Sequence, residues 1–365
     1  MSERTRRPRN ARIEALRVIA IACIAVFHTF QPWFEAATDG SWAAGPGLLA
    51  ALGCVSLLGA YGNHVFFLIS GFFLVPRAAA ASRDDSYWSA QLRACGRRAL
   101  TVLASVAVWA AVALAVNAWV VPVGRVSLTD PTWLVGGLQF IWVYLAVMVA
   151  VPVIGWVWAR VRSPRGVVLV VTVVVFAVNA YIAFVSPGSD ERGLLEWRKL
   201  MSAVSYVVAF LVGGALSGAR LSWGPRALAA SAACCVVGAC AAGLASDLWL
   251  LKALSFKSTS LLSFALAVSS MACAAEGMGE GRLETGRLAA AIRATTPSIL
   301  GFYIAQSVFT SAWHPVANEL LASALGVGPA AFLATGTLAS LVFLAAVLLA
   351  DRVLRVSLLR LLRLA

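Results

Sequence analysis

The first hydrophobic stretch of the chain carries three side chains that could do chemistry: Glu14, Arg17 and His28. Charged and titratable groups inside an apolar helix are costly, so they usually face a protein interior and mark a functional site. At about 100° per residue, the step from Arg17 to His28 is about three turns, which places both on one helix face about 16 Å apart. Glu14 shares that face and can pair with the guanidinium of Arg17. One face is therefore predicted to link a cation to an imidazole, a side chain that can act as a general base.

The composition around these residues is that of a membrane protein. Of 365 residues, 61% are hydrophobic and only 12% are charged, unlike a soluble domain. The sequence predicts an all-α, polytopic membrane bundle of about ten transmembrane helices, each of about 20 mostly apolar residues, in a single domain over residues 1–365. The predicted spans are 13–30, 52–75, 99–121, 136–158, 166–186, 200–218, 227–245, 256–275, 295–312 and 329–350.

The net charge of +13 could suggest a nucleic-acid partner, but the positive residues are distributed as the topology of a membrane protein requires. No nucleic-acid partner is therefore expected. Of the 29 Lys and Arg residues, 22 fall on one side of the predicted spans, six fall on the other, and Arg17 lies inside the first span. Because Lys and Arg concentrate in cytoplasmic loops, both termini are predicted to be cytoplasmic. They form a leader over residues 1–12 and an Arg-rich amphipathic tail over residues 351–365. We expect a multi-pass protein of the inner or plasma membrane, without an appended soluble domain.

Two arginines at the start of the third span have two possible roles. Arg97 and Arg98 can belong to an aromatic and basic anchor at the membrane surface, as the positive-inside rule predicts. Their guanidinium groups can instead bind a phosphorylated cytoplasmic ligand through paired hydrogen bonds.

Polar and aromatic side chains in two later spans are open to similar alternatives. Trp142 and Tyr144 in the fourth span are typical of an aromatic belt at the membrane interface. In the ninth span, Gln306 with nearby Tyr303 can hydrogen-bond between helices without further function.

Other candidates favour structural roles. His64 is expected to pack or to form an interfacial hydrogen bond, and His314, just before Pro315, is expected to be a solvated histidine outside the membrane. The charged segment 187–199 is either a solvated loop or a polar acceptor surface. The cysteines show no metal-ligand spacing, so no metal site is expected.

Three segments, in this order, resemble the acyltransferase 3 family of bacterial membrane proteins, which O-acetylate envelope polysaccharides and related acceptors. RIEALRVIAIACIAVFH is similar to the opening helix of the family, VFFLISGFFL to its FF-x-x-SG segment, and IWVYLAVMVAVP to its tryptophan-bearing fourth helix. Weaker similarity comes from the arginines that open the third span and from SILGFYIAQ. The chain departs from the family pattern at Phe140 and Gln306, where histidines often stand.

The resemblance implies transfer of an acyl group, acetyl before others, from cytoplasmic acyl-CoA to a hydroxyl. It makes His28 the general base, while Arg17 steers the donor or holds Glu14, and Arg97 and Arg98 suit the phosphates of coenzyme A. The residues expected to bind substrate are Glu14, Arg97, Arg98, Trp142, Tyr144, Tyr303 and Gln306. Acetyl-CoA or another acyl-CoA is then a donor substrate, and no permanently bound cofactor is expected.

Three functions compete at this point. The leading hypothesis is an integral membrane O-acyltransferase that acts on an envelope glycan, a lipid-linked sugar or a similar acceptor. A bundle with buried polar residues also describes a transporter or flippase, although the sequence shows neither an internal repeat nor paired interrupted helices. In a scaffold or sensor, the buried charges would serve packing alone. The three ordered segments favour the enzyme.

Overall fold

The computed structural model describes residues 10–124, 126–185, 197–255, 258–276 and 286–364, without the side chains of Arg198 and Leu288. Most of the predicted leader and of segment 187–199 therefore lie outside the described residues. Within the described ranges all regular elements are helices, which confirms the predicted all-α bundle. They are α1 (Ala11–Thr38), α2 (Pro46–Ala81), α3 (Tyr87–Trp119), α4 (Thr132–Gly137), α5 (Gln139–Arg160), α6 (Pro164–Phe184), α7 (Trp197–Leu216), α8 (Gly224–Leu244), α9 (Leu248–Ser255), α10 (Leu261–Glu276), α11 (Arg287–Thr295), α12 (Ile299–Val327), α13 (Pro329–Asp351) and α14 (Ser357–Leu361).

Ten of these helices correspond to the ten predicted spans. Eight described helices are long and apolar enough to cross a membrane, whereas α10 has only 16 residues. The eight do not include α12, whose Gln306 and His314 lower its mean hydropathy. The chain is thus a multi-pass membrane protein, while the count of ten and the cytoplasmic placement of both termini stay predictions.

The long helix α2 lies at the centre of the bundle and touches neighbours on both sides at glycines. A Cβ atom added to Gly71 would collide with the carbonyl oxygen of Phe210 in α7. One added to Gly62 would lie 2.5 Å from the carbonyl oxygen of Ala20 in α1. Small residues let membrane helices approach this closely, so these glycines hold α1 and α7 directly against α2.

Helices α1 and α12 run in parallel, and hydrogen bonds join them at both ends of the bundle. At one end the hydroxyl of Thr296, in the 3₁₀ turn before α12, donates to Glu14 over 2.7 Å. At the other end the indole of Trp313 donates to the Thr29 hydroxyl over 3.3 Å. We call the end near Glu14 the Arg-rich end, because the predicted cytoplasmic arginines flank it, and the end near Thr29 the opposite end.

Helix α3 is fixed against α5 near a proline. Pro152 has no N–H, so the carbonyl of Met148, four residues earlier, lacks its helical partner. The thiol of Cys95 donates to that carbonyl over 3.5 Å, and the phenol of Tyr87 donates to the carbonyl of Pro152 over 2.5 Å. These contacts set the position of the arginines that follow on α3.

The predicted Arg-rich tail contains one buried arginine. The chain stays helical beyond Asp351, through a π-helical turn over Arg352–Val356 and then α14. Arg355 is only 3% exposed and pairs with Asp351, whereas Arg352 and Arg360 are exposed as expected. A carboxylate one turn earlier draws this one arginine into the bundle.

Candidate functional site

The predicted ion pair on α1 is present. Nη1 of Arg17 donates to both carboxylate oxygens of Glu14, over 3.1 and 3.3 Å. Glu14 is 5% exposed and also accepts the hydroxyl of Thr296. The Arg17 side chain keeps 25% of its surface exposed, and among the described contacts only its Nη1 has a hydrogen-bond partner. A guanidinium has five N–H groups, so Arg17 retains donors for a ligand.

A second arginine acts on the same side chain as this pair. Tyr144 on α5 has Ser70 of α2 as a neighbour, and both Arg17 and Arg98 lie within electrostatic range of its phenol. Nη1 of Arg98 is buried and has no hydrogen-bond partner among the described residues. We call Arg17, Arg98, Ser70 and Tyr144 the arginine site. Two cations beside two hydroxyl groups in a low-dielectric interior attract an anion strongly.

The neighbouring Arg97 is placed differently. It is exposed, because consecutive side chains on a helix point about 100° apart. The structure therefore brings one of the two predicted arginines, Arg98, to the arginine site and leaves Arg97 on the surface.

An aromatic layer follows the arginine site toward the opposite end. Tyr303 on α12 stacks on Phe140, with ring centroids 4.4 Å apart and planes 7° apart. Phe66 joins Tyr303 to Tyr144, with ring centroids 4.8 Å from each, and the Tyr303 phenol donates to the carbonyl of Gly62 over 3.3 Å. Phe140 is thus a packing element of this layer.

His28 lies beyond the aromatic layer, toward the opposite end. Its ring meets Phe27 edge-on, with centroids 4.9 Å apart, and Gln31 is a neighbouring side chain. Nδ1 of His28 is buried and has no hydrogen-bond partner among the described residues. An unsatisfied buried polar atom costs free energy unless a ligand or water meets it. The imidazole therefore has a ring nitrogen that no described side chain or backbone group occupies.

The backbone of His28 has an unusual partner. Pro32 follows four residues later inside α1 and has no N–H, so the carbonyl of His28 lacks its helical hydrogen bond. Nε2 of His314 donates to that carbonyl over 2.8 Å. The prediction of a solvated His314 is wrong, because Pro315 does not end α12: the helix continues to Val327 and carries the histidine inward. The four-residue spacing of His28 and Pro32 in the sequence could have indicated that the His28 carbonyl lacks a backbone N–H donor.

Two further predicted residues make no described contact with the arginine site or with the His28 ring. Gln306 is 3% exposed, and its Nε2 has no hydrogen-bond partner among the described residues. The indole of Trp142 donates to the carbonyl of Leu134 over 2.9 Å and so holds the short helix α4 against α5.

His64 is fully buried and packs against Phe264.

The described part of the chain contains no cluster of three His, Cys, Asp or Glu side chains that could hold a metal ion. A family model described as an acyltransferase domain matches residues 10–350. Neither the search of curated proteins nor the search of solved structures gave a match.

Proposed function

The chain belongs to the acyltransferase 3 family, and on this premise we propose that it transfers an acyl group, acetyl before others, from cytoplasmic acyl-CoA to a hydroxyl of a cell-envelope glycan or lipid-linked sugar. Members of this family are O-acyltransferases, so the protein is a membrane-bound acyltransferase. The family match favours the enzyme over the transporter and the scaffold. The donor, the acceptor and the roles of individual residues belong to the proposal.

One observation carries the assignment of the base: His28 lies on the same helix as Arg17 of the arginine site and has a buried Nδ1 without a described hydrogen-bond partner. In the proposed step the acceptor hydroxyl oxygen attacks the thioester carbonyl carbon while the imidazole takes the hydroxyl proton. The new C–O bond forms and the C–S bond breaks. The imidazolium then gives its proton to the departing thiolate. The products are an ester and free coenzyme A, and no other reactant is needed.

The arginine site supports the placement of the donor. Its guanidinium groups, Arg17 and Arg98, are suited to the phosphates of coenzyme A. Arg17 lies about 16 Å from His28 along α1, so a donor held by its phosphates can extend its thioester toward the imidazole. Glu14 keeps Arg17 in place. The concentration of Lys and Arg at this end supports donor entry from the cytoplasm and residence in the inner or plasma membrane.

The test is the content of alkali-labile acetate in the envelope of the native host, with its own gene deleted and a plasmid copy supplied. We expect His28→Gln to reduce acetate to the level of the empty vector, because general-base catalysis contributes about 10²–10⁴-fold. Ile19→Ala is the control, since Ile19 lies on the same helix and is 52% exposed. It should retain wild-type acetate.

The amount of each variant in the membrane and its thermal stability in detergent are measured in parallel. Wild-type acetate in cells that carry folded His28→Gln would contradict the role of His28 as the base. No acetate above the vector level with the wild-type protein would contradict acetyl transfer to the envelope.

A further inference from the structure

A cavity of about 410 Å³ opens at the opposite end of the bundle, beside the histidine pair. Helix α12 and the segment that contains α4 form its walls, and several lining residues, including Gly137 and Ser311, are exposed. His314 lines the cavity and donates to the carbonyl of His28. The cavity is therefore one side chain away from the backbone carbonyl of His28.

The cavity wall is rich in hydroxyl groups and has one large aromatic face. Ser307, Thr310 and Ser311 follow one another on α12, and Trp133 lies across from them. The indole N–H of Trp133 is already donated to the carbonyl of Ser127 over 2.9 Å, so its ring is held in place as a flat apolar surface. None of the described lining residues is Asp, Glu, Lys or Arg.

A proline adds a further acceptor to this wall. Pro315 lies inside α12, so the carbonyl of Ser311, four residues earlier, lacks its helical partner. The hydroxyls of Ser307 and Thr310 donate to helix carbonyls, which leaves the lone pairs of their oxygens available as acceptors. The cavity thus offers acceptors and an apolar face, the combination that fixes a ligand with several hydroxyl groups.

The hydrogen bond of His314 determines its tautomer. A carbonyl oxygen can only accept, so Nε2 of His314 carries the proton that is donated to His28. In a neutral imidazole Nδ1 then has a lone pair and can only accept. No described hydrogen bond engages Nδ1 of His314.

We propose that this cavity binds the acyl acceptor, that the acceptor is an uncharged sugar, and that Nδ1 of His314 accepts a hydrogen bond from one of its hydroxyl groups. A neighbouring hydroxyl of the same sugar then reaches His28 and attacks the thioester, as in the step above. This inference rests on the proposed function and adds a binding site for the acceptor and the absence of charge on the bound sugar. His314 acts as an acceptor-binding residue, and the proton of the attacking hydroxyl still passes to His28.

The first test fills the cavity. Gly137 has no atom within 4 Å of a Cβ built on it, so Gly137→Leu adds a side chain to the cavity wall without a clash. The matched control is Gly326→Leu, because Gly326 is a helical glycine on α12 that is equally free of neighbours and does not line the cavity. Envelope acetate should fall at least tenfold for Gly137→Leu and stay unchanged for Gly326→Leu.

The second test separates binding from structure at His314. Gln carries its amide about where Nε2 lies, so His314→Gln can keep the donor to the His28 carbonyl but lacks an acceptor at Nδ1. Asn carries its amide oxygen about where Nδ1 lies, so His314→Asn can keep the acceptor but loses that donor. A binding role predicts at least a tenfold loss of acetate for His314→Gln and partial retention for His314→Asn. A purely structural role predicts the reverse order.

Donor binding is followed separately, as the rise in melting temperature that acetyl-CoA causes in purified protein. We expect Gly137→Leu and His314→Gln to keep the wild-type rise while they lose envelope acetate. Wild-type acetate in Gly137→Leu, or loss of the acetyl-CoA effect in that variant, would overturn the assignment of the cavity to the acceptor. No acetate from the wild-type protein would instead overturn the proposed function itself, and the acceptor site with it.

Discussion

Two acid–arginine pairs in the described helices, Glu14–Arg17 and Asp351–Arg355, look alike in sequence but are built differently. Arg355 donates Nε and Nη2 to the carboxylate of Asp351 over 2.6 and 2.7 Å. Its Nη2 also reaches the carbonyl of Pro297, and its Nη1 reaches the hydroxyl of Ser105. All three guanidinium nitrogens therefore have partners. Arg17 by contrast uses Nη1 alone and keeps part of its side chain exposed.

The difference separates a structural pair from a pair that can serve a ligand. The indole of Trp109 adds a hydrogen bond to Asp351 over 3.0 Å, so this pair joins α13 to α3 and to the turn before α12. The described hydrogen bonds engage four of the five N–H groups of Arg355, so this buried pair has little left to offer a substrate. The Glu14 carboxylate likewise accepts hydrogen bonds from Arg17 and Thr296. The guanidinium of Arg17 keeps donors without a described partner, and it shares Tyr144 as an electrostatic neighbour with Arg98.

The largest effect is expected when the Asp351–Arg355 pair is broken. Arg355→Met removes the cation and leaves the Asp351 carboxylate buried without it, which should lower the free energy of unfolding by about 3–5 kcal/mol. Arg352→Met is the matched control, because Arg352 is exposed in the same turn. Thermal and denaturant unfolding in detergent measures both. Equal stability of the two variants would mean that the Asp351–Arg355 pair does not hold the helices together.

A smaller effect, on ligand binding rather than on folding, is expected at the Glu14–Arg17 pair. Arg17→Lys keeps the positive charge beside Glu14 but loses the planar fork that matches a phosphate. We expect unchanged stability and a loss of acetyl-CoA affinity of about tenfold to a hundredfold, or about 1.4–2.8 kcal/mol. The affinity is read from the concentration dependence of the acetyl-CoA thermal shift. An unchanged affinity would remove Arg17 from the donor site.

The smallest expected effect distinguishes the adjacent arginines on α3. Arg98→Gln should weaken acetyl-CoA binding by about tenfold, because its buried Nη1 faces the arginine site, whereas Arg97→Gln should leave binding unchanged, because Arg97 is exposed. Both substitutions remove one positive charge from the same end of α3. A comparison of the two variants therefore removes the effect of net charge on acetyl-CoA affinity. Equal affinities for the two variants would show that Arg98 has no specific contact with the donor.

Much of this arrangement could be predicted from local patterns. The runs of apolar residues located the helices, and helical periodicity placed Glu14 beside Arg17 and His28 farther along the same helix. Such relations depend on a few residues of one helix, so they do not change with the packing of neighbouring helices. The same periodicity could state only that Arg97 and Arg98 point in different directions, and the structure was needed to show which one turns inward.

The sequence by itself determined the class of the protein, the order of its helices and the pairing of Glu14 with Arg17, because hydrophobic length and helical spacing act within a single segment. Only the tertiary structure decided that Arg355 is buried, and that His314 bonds to the backbone of His28. Both depend on partners that the chain brings from far away: Arg355 meets Ser105 and Pro297, and His314 meets a carbonyl that Pro32 leaves free. Contacts between separate helices follow from packing, which local spacing does not encode.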